Sequence, residues 1–301
     1  MIRTTKYLLL MLLTILIGTY LYISHCSECG TSVTDEPQKE AEVPIASEPT
    51  SYPFAYNDGA YTYNENDNYN FKESSSAILV PLATSIHVGI NKLKKHLSKD
   101  AGKVIKITGY YKSDEINDSA FPNLGLARAN AVKNHLVESG ISSASINTIG
   151  QLMDAMVPDQ GVYLGPITYS ISGESETADD DLKALYQKIN ASPLVLYFDA
   201  AEASISLSAT QRQKVADISR YLDKVEGAKV NIVGHTDNTG VATTNMRLGQ
   251  NRADFAKAYF VRNGISEAKI NTSSKGQTDP TESNITEEGR SKNRRTVVTL
   301  N

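Results

Sequence analysis

The chain has 301 residues and a mass of 32.8 kDa, enough for two domains with attachments. A formal net charge of −4 argues against a phosphate-backbone binder, and two cysteines exclude a disulfide scaffold or a cysteine-rich zinc domain. A mean hydropathy of −0.31 excludes a multi-span membrane protein. The charge is uneven: +1 over residues 1–29, −7 over 30–75, +2 over 76–172, −3 over 173–191 and +3 over 192–301. That partition implies two folded blocks separated by acidic connectors.

Residues 1–29 read as a membrane segment. Arg3 and Lys6 precede 17 uncharged residues, Tyr7 to Ile23, at the short limit for a spanning helix. Tyr20 and Tyr22 fit an interfacial belt, and the acids Glu28, Asp35 and Glu36 follow, which points the rest of the chain outward. An uncleaved single-pass anchor fits best. The alternatives are a lipoprotein cut before Cys26, where His25 is a poor fit, and a cleaved signal peptide, for which no small-x-small site is evident. Cys26 and Cys29 form a C-x-x-C with no thioredoxin-like context and too few neighbouring ligands for a metal. The uncharged run carries no ionisable group that could conduct protons.

Residues 30–75 show no hydrophobic period. A Pro/Glu-rich half and a Tyr/Asn-rich half read as a mostly disordered linker, the second half having the option of docking as a strand. Such a linker reaches about 150 Å stretched and about 37 Å as a flexible coil.

Beyond it the chain is duplicated. VIKITGYYKSD (104–114) lies over KVNIVGHTDNT (229–239), with Gly109 on Gly234. Ile90, Leu93 and Leu97 fall on Val215, Ile218 and Leu222, one helical stripe in each copy. Gly102 falls on Gly227 at the expected helix C-caps. Leu124, Arg128 and Ala129 fall on Leu248, Arg252 and Ala253, and Gly-Ile-Ser and Ile-Asn-Thr triplets align further on. Each copy, 76–172 and 192–301, reads as a βαβαββ unit, and the whole as a tandem α+β sandwich. In the second copy the elements are expected near 193–199, 210–225, 229–235, 245–263, 269–275 and 294–300. The acidic connector 173–191 carries two helical turns around Leu182–Ile189.

The chemistry gathers in the second copy. Asp237 lies just past a strand. Asn245, Leu248 and Arg252 share a helix face by their i, i+3, i+7 spacing, and Arg294 and Arg295 open the last strand. An acid and a guanidinium fork on one edge suit a zwitterion carrying an ammonium and a carboxylate on one carbon. An Asp237–Arg252 ion pair that merely ties loop to helix is the alternative. The sequence contains no G-x-S-x-G, H-E-x-x-H or P-loop, and His235 has no partner set, so no catalysis, cofactor or metal is expected. His87, His96 and His135 fall on helical stretches and read as surface or packing residues.

LYFD, GHTDNTG, NMRLGQNRA, GIS…KI and TEEGRSKNRR together resemble the OmpA-like peptidoglycan-binding domain, over about 110 residues from 192 to 301. The resemblance implies a non-enzymatic envelope anchor of a Gram-negative cell. Its partner would be peptidoglycan, gripped non-covalently at the diaminopimelate of the stem peptide. It implies that Asp237 meets the α-ammonium and Arg252 the carboxylate. Thr239, Asn245 and Leu248 match further pocket positions, and one of Arg294 and Arg295 completes the rim. It implies periplasmic domains held at the inner membrane by the N-terminal helix, or at the outer membrane by a lipid on Cys26. A scaffold that binds envelope proteins is the rival reading. The first copy departs from the pattern: Lys112 stands in place of Asp237 while Arg128 keeps the place of Arg252, with Asp114 and Glu115 close by. A degenerate structural copy is expected, with a variant ligand site as the alternative.

Overall fold

The computed structural model describes residues 2–26, 48–59, 61–100, 102–175, 177–199 and 206–301, with helix side chains before residue 48 described at 7 and 10–24. By compactness the chain divides into two units, Met1–Ser47 and Glu48–Asn301. In the first, α1 (Ile2–Cys26) contains the apolar run, and its described side chains are exposed throughout. Among the described residues no helix is long and apolar enough to cross a membrane. Seventeen uncharged residues rise only ~26 Å against a hydrocarbon layer of ~30 Å. The single span expected from sequence is therefore not supported by this helix as described. Residues 30–47, Cys29 and the Cys26 side chain lie outside the described residues.

The second unit begins earlier than its sequence suggests. β1 (Phe54–Asn57) and β2 (Thr62–Glu65) form an antiparallel hairpin, and β3 (Phe71–Lys72) follows. Phe54, Tyr56, Tyr63, Tyr69 and Phe71 are all buried in the first core. Residues 48–75 were expected to belong to a disordered linker, and this part of the expectation is corrected. The physical reason is visible in 54/56, 61/63 and 69/71: aromatics two apart line one face of extended chain, while Ala55, Thr62 and Asn70 between them are more exposed. Burying tyrosine requires a hydroxyl partner. Tyr56 donates to the Gly89 carbonyl (3.3 Å), Tyr63 to the Ser85 carbonyl (3.3 Å) and Tyr169 to Asn68 (3.0 Å).

Next come α2 (Thr84–Leu97), β4 (Lys103–Tyr111), α3 (Leu124–Glu138), β5 (Ile146–Leu152), β6 (Val162–Tyr163) and β7 (Ile167–Gly173). Asn123 caps α3 by accepting from the Leu126 amide at 2.8 Å. β4 is central, pairing parallel with β5 and antiparallel with β7. β6 pairs with β3, and Gly165-Pro166 separates it from β7, so the expected last strand at 162–171 is two strands. The Phe54 ring lies 4.7 Å from that of Tyr169 on β7.

α4 (Ala178–Ala191) is a 14-residue helix, longer than the two turns expected, and Leu185 and Ile189 join the second core. Then follow β8 (Leu194–Tyr197), α5 (Ala209–Lys224), β9 (Val230–His235), α6 (Ala242–Arg262), β10 (Ile270–Gly276), α7 (Glu287–Asn293) and β11 (Arg295–Leu300). The strands and the helices α5 and α6 fall within about three residues of the sequence expectation. Ser208 and Gln211 close a capping box at the start of α5. The strand order is β10-β9-β11-β8, with β9 parallel to β10 and antiparallel to β11. β4 and β9 thus have the same neighbours in the same directions. Gly227 has φ +73°, whereas Gly102 is not in the left-handed region, so only one of the two expected caps uses that freedom.

The two halves touch through specific bonds. The buried Lys133 ammonium meets Asp223 at 2.5 Å, and Asn263 accepts from the Ala120 amide at 2.8 Å. Ser143 donates to the Asp223 carbonyl at 2.8 Å, and Arg212 to the Ser119 carbonyl. A cavity of about 380 Å³ lies between the halves, lined by Phe121, Leu126, Ile149, Ser219 and Arg220 among others, and by neither Asp237 nor Arg252.

Candidate functional site

The site is built at one end of β9 and β11. β9 ends at His235, and the Thr236 amide still reaches the Gly276 carbonyl at 2.9 Å. Asp237 then turns the chain: its Oδ1 accepts from the Thr239 amide at 2.9 Å, an Asx-type turn. Asn245, in the first turn of α6, closes the loop. Its amide nitrogen donates to the carbonyls of Asp237 (3.3 Å) and Thr239 (3.1 Å) and to Gln277 Oε1 (2.5 Å). With its donors committed to the loop, buried Asn245 is a clamp. Leu248, one turn on, is half-buried, and Thr239 is exposed.

Arg252, two turns beyond Asn245, is 1% exposed. Nη1 donates to the His235 carbonyl (3.1 Å) and Nη2 to the Asp199 carbonyl (3.3 Å), and the guanidinium lies 5.4 Å from the Phe198 ring. Among the described residues no carboxylate is bonded to it. Burial pushes its pKa down, and Asp237 nearby counters this. The Asp237–Arg252 ion pair weighed from sequence is not formed. Asp237 Oδ2 instead accepts from Arg294 Nη1 at 3.0 Å, and Arg294 Nη2 reaches Glu287 at 2.8 Å. Burial raises the Asp237 pKa, but the Thr239 amide and Arg294 outweigh it and hold the carboxyl below its usual range.

Arg294 and Arg295 diverge. Arg295 donates to the Asp279 carbonyl at 3.2 Å and sits beside His235, away from Asp237. Burial, with Arg295 adding to it, pushes His235 down to about 4. Among the described residues five buried side-chain polar atoms lack a hydrogen-bond partner: His235 Nδ1, Arg252 Nε, Arg294 Nε, Arg295 Nη1 and Thr296 Oγ1. All five sit at this one edge, where β9 ends and β11 begins. Buried polar atoms are otherwise paired in folded proteins, so these five single out this edge as the candidate site.

Of the residues expected at one edge, the structure places Asp237, Asn245, Arg252 and Arg294 around the loop after β9, with Thr239 and Leu248 at its margin, while Arg295 turns to the Asp279 carbonyl. Sequence reasoning missed Gln277 and Glu287. The signal for Glu287 was its place seven residues before Arg294 in TEEGRSKNRR. Among the described residues no group of three or more His, Cys, Asp or Glu is placed to hold a metal ion.

Residues 197–294 match the model of the OmpA family. The probable lipoprotein YiaD of Escherichia coli is 33% identical over 103 residues, which cover 34% of this chain and 46% of that protein. The peptidoglycan-binding protein ArfA of Mycobacterium bovis is 32% identical over 121 residues, 40% of this chain and 36% of that one. A solved peptidoglycan-associated lipoprotein from Burkholderia pseudomallei is 24% identical, covers 36% of this chain and 89% of its own, and overlays with a TM-score of 0.33. The matches to the two curated relatives span about half or less of their length.

Proposed function

We propose that the chain is a non-enzymatic anchor whose C-terminal domain grips peptidoglycan at the diaminopimelate of its stem peptide. One observation carries this: the unpartnered donors of Arg252 and Arg294 converge beside an ionised Asp237. Arg252 receives the stem carboxylate. Asp237 receives the α-ammonium on lone pairs left free by Thr239 and Arg294. Arg294 holds Asp237 in place, and Thr239 and Leu248 edge the pocket. The family match at 197–294 and the likeness to the peptidoglycan-binding protein ArfA support the reading.

In the same proposal the first half, 76–172 with the strands before it, is a degenerate second copy that supports the C-terminal one. The N-terminal segment attaches the protein to a membrane, the inner one in the single-pass form. The exposed apolar side chains of α1 support attachment, since such a surface requires cover. Mass spectrometry of the mature N-terminus separates the routes: a lipid on Cys26 means a lipoprotein, and an intact N-terminus means insertion.

The test is co-sedimentation of the purified chain with sacculi. Wild type is expected to pellet with the wall. Asp237→Ala and Arg252→Ala should each lose at least about tenfold in affinity, since each removes a charged partner. Circular dichroism checks that the fold survives. Normal sedimentation of both variants sinks the proposed clamp.

A further inference from the structure

The two copies place the same arginine in the same frame. Leu-Gly-x-x-Arg-Ala runs from Leu124 to Ala129 and again from Leu248 to Ala253. With Gly109 over Gly234, Tyr110 stands over His235. Arg128 Nη1 donates to the Tyr110 carbonyl at 2.9 Å, and Arg252 Nη1 to the His235 carbonyl at 3.1 Å. Each guanidinium also lies by aromatic rings: Arg128 by Phe71 and Tyr163, Arg252 by Phe198. What differs is the carboxylate. Among the described residues Arg252 has none bonded and keeps Nε unpaired. Arg128 holds Glu115 in a two-pronged grip, Nη2 to Oε1 at 2.5 Å and Nη1 to Oε2 at 3.0 Å.

The closure of the first copy is complete. Arg128 Nε donates to the Ser75 carbonyl at 3.0 Å and Nη2 to the Lys72 carbonyl at 3.3 Å, so all five guanidinium hydrogens are used. Glu115 accepts two further bonds, from the amides of Ser74 and Lys112, both at 2.9 Å. Arg128 is 0% exposed and the Glu115 side chain 3%. The 72–75 segment lies over the pair and contributes three of these bonds.

We infer that the first domain contains a carboxylate-binding site whose ligand is its own Glu115, captured in the place where Arg252 leaves its guanidinium without a carboxylate. The site takes a single carboxylate, because the fork, two amides and three carbonyls leave no further donor or acceptor unmatched. The first domain is thereby closed to any carboxylate from outside. The inference stands on Arg128 and its surroundings and does not rest on the wall-binding proposal.

Removing the captive side chain should open the site. In the full chain, Glu115→Ala is expected to lower Tm by roughly 10 °C, as breaking a buried ion pair does. Sodium acetate should restore at least half of that loss, and sodium chloride at equal ionic strength should not. Glu115→Ala/Arg128→Met is expected to show no acetate response. Should Glu115→Ala not fold unaided, it is expected to refold on dilution into acetate and not into chloride. Equal responses to acetate and chloride, in melting or in refolding, overturn the inference. So does an acetate response that survives loss of Arg128.

Discussion

Arg294 and Arg295 are chain neighbours with opposite employment, because successive side chains at a strand start point to opposite sides. One meets Asp237 and Glu287, and the other the Asp279 carbonyl beside His235. That alternation could not assign the ligand-side arginine from sequence, since the face of β11 turned to the loop is set by its register with β9, Thr296 on Gly234. His235 gives a residue-scale prediction. Its unfolded pKa is ~6.5, and burial lowers it to about 4 in the folded chain. The unfolded state therefore binds more protons between those values, and stability falls as pH drops from about 6.5 toward 4. Denaturant titrations at pH 7 and 4.5 should show a smaller loss for His235→Gln than for the parent. Equal losses would mean that His235 is not held neutral.

At the scale of elements, each half crosses a central strand over its helix at two glycines. A Cβ on Gly234 would strike the Gly249 carbonyl, and one on Gly109 the Gly125 carbonyl. The close approach lets α6 bring Arg252 within reach of the His235 carbonyl. Gly234→Ala is expected to destabilise by about 1–3 kcal/mol through overpacking, read by urea unfolding, and to weaken sacculus binding more than Gly227→Ala. A Gly234→Ala chain of parental stability would refute the contact. The strand glycines were legible as an aligned pair, and so were the helix stripes, because period and spacing survive in a single sequence. The strands at 54–72 were not. Their inward residues are tyrosines with polar neighbours, a composition shared with flexible tracts, and what orders them is the Gly89 and Ser85 carbonyls waiting on a distant helix. Glu115 was legible only as a nearby acid. Its partner depends on a loop one residue longer than that of the second copy.

At the scale of the molecule, residues 48–301 form one compact unit whose two halves share buried polar bonds. Lys133, 2% exposed, has its ammonium against Asp223 of the other half. Asp223→Ala strands that charge and should cost about 3–5 kcal/mol in urea unfolding of the full chain. Lys133→Met combined with Asp223→Ala should recover most of it, since both partners are then gone. A cost that the second substitution does not relieve would mean that the pair contributes nothing across the interface. The acidic connector reads differently at this scale too: Leu185 and Ile189 of α4 dock it into the second core, so the −3 segment is a face of that domain.

The edge position of β8 has a mechanical consequence. The chain enters β8 at Leu194, opposite Val298, and the proposed ligand sits at the other end of the strand, where Tyr197 meets Arg295. In the proposed role, tension from the membrane side would pull on Leu194 while the wall holds Asp237 and Arg252. The pull runs along the strand, so the rungs between β8 and β11 are loaded in shear and share the force. A strand entered from the opposite end would be peeled one rung at a time. The Lys133–Asp223 contact adds a second route for the same load, in parallel with the covalent one.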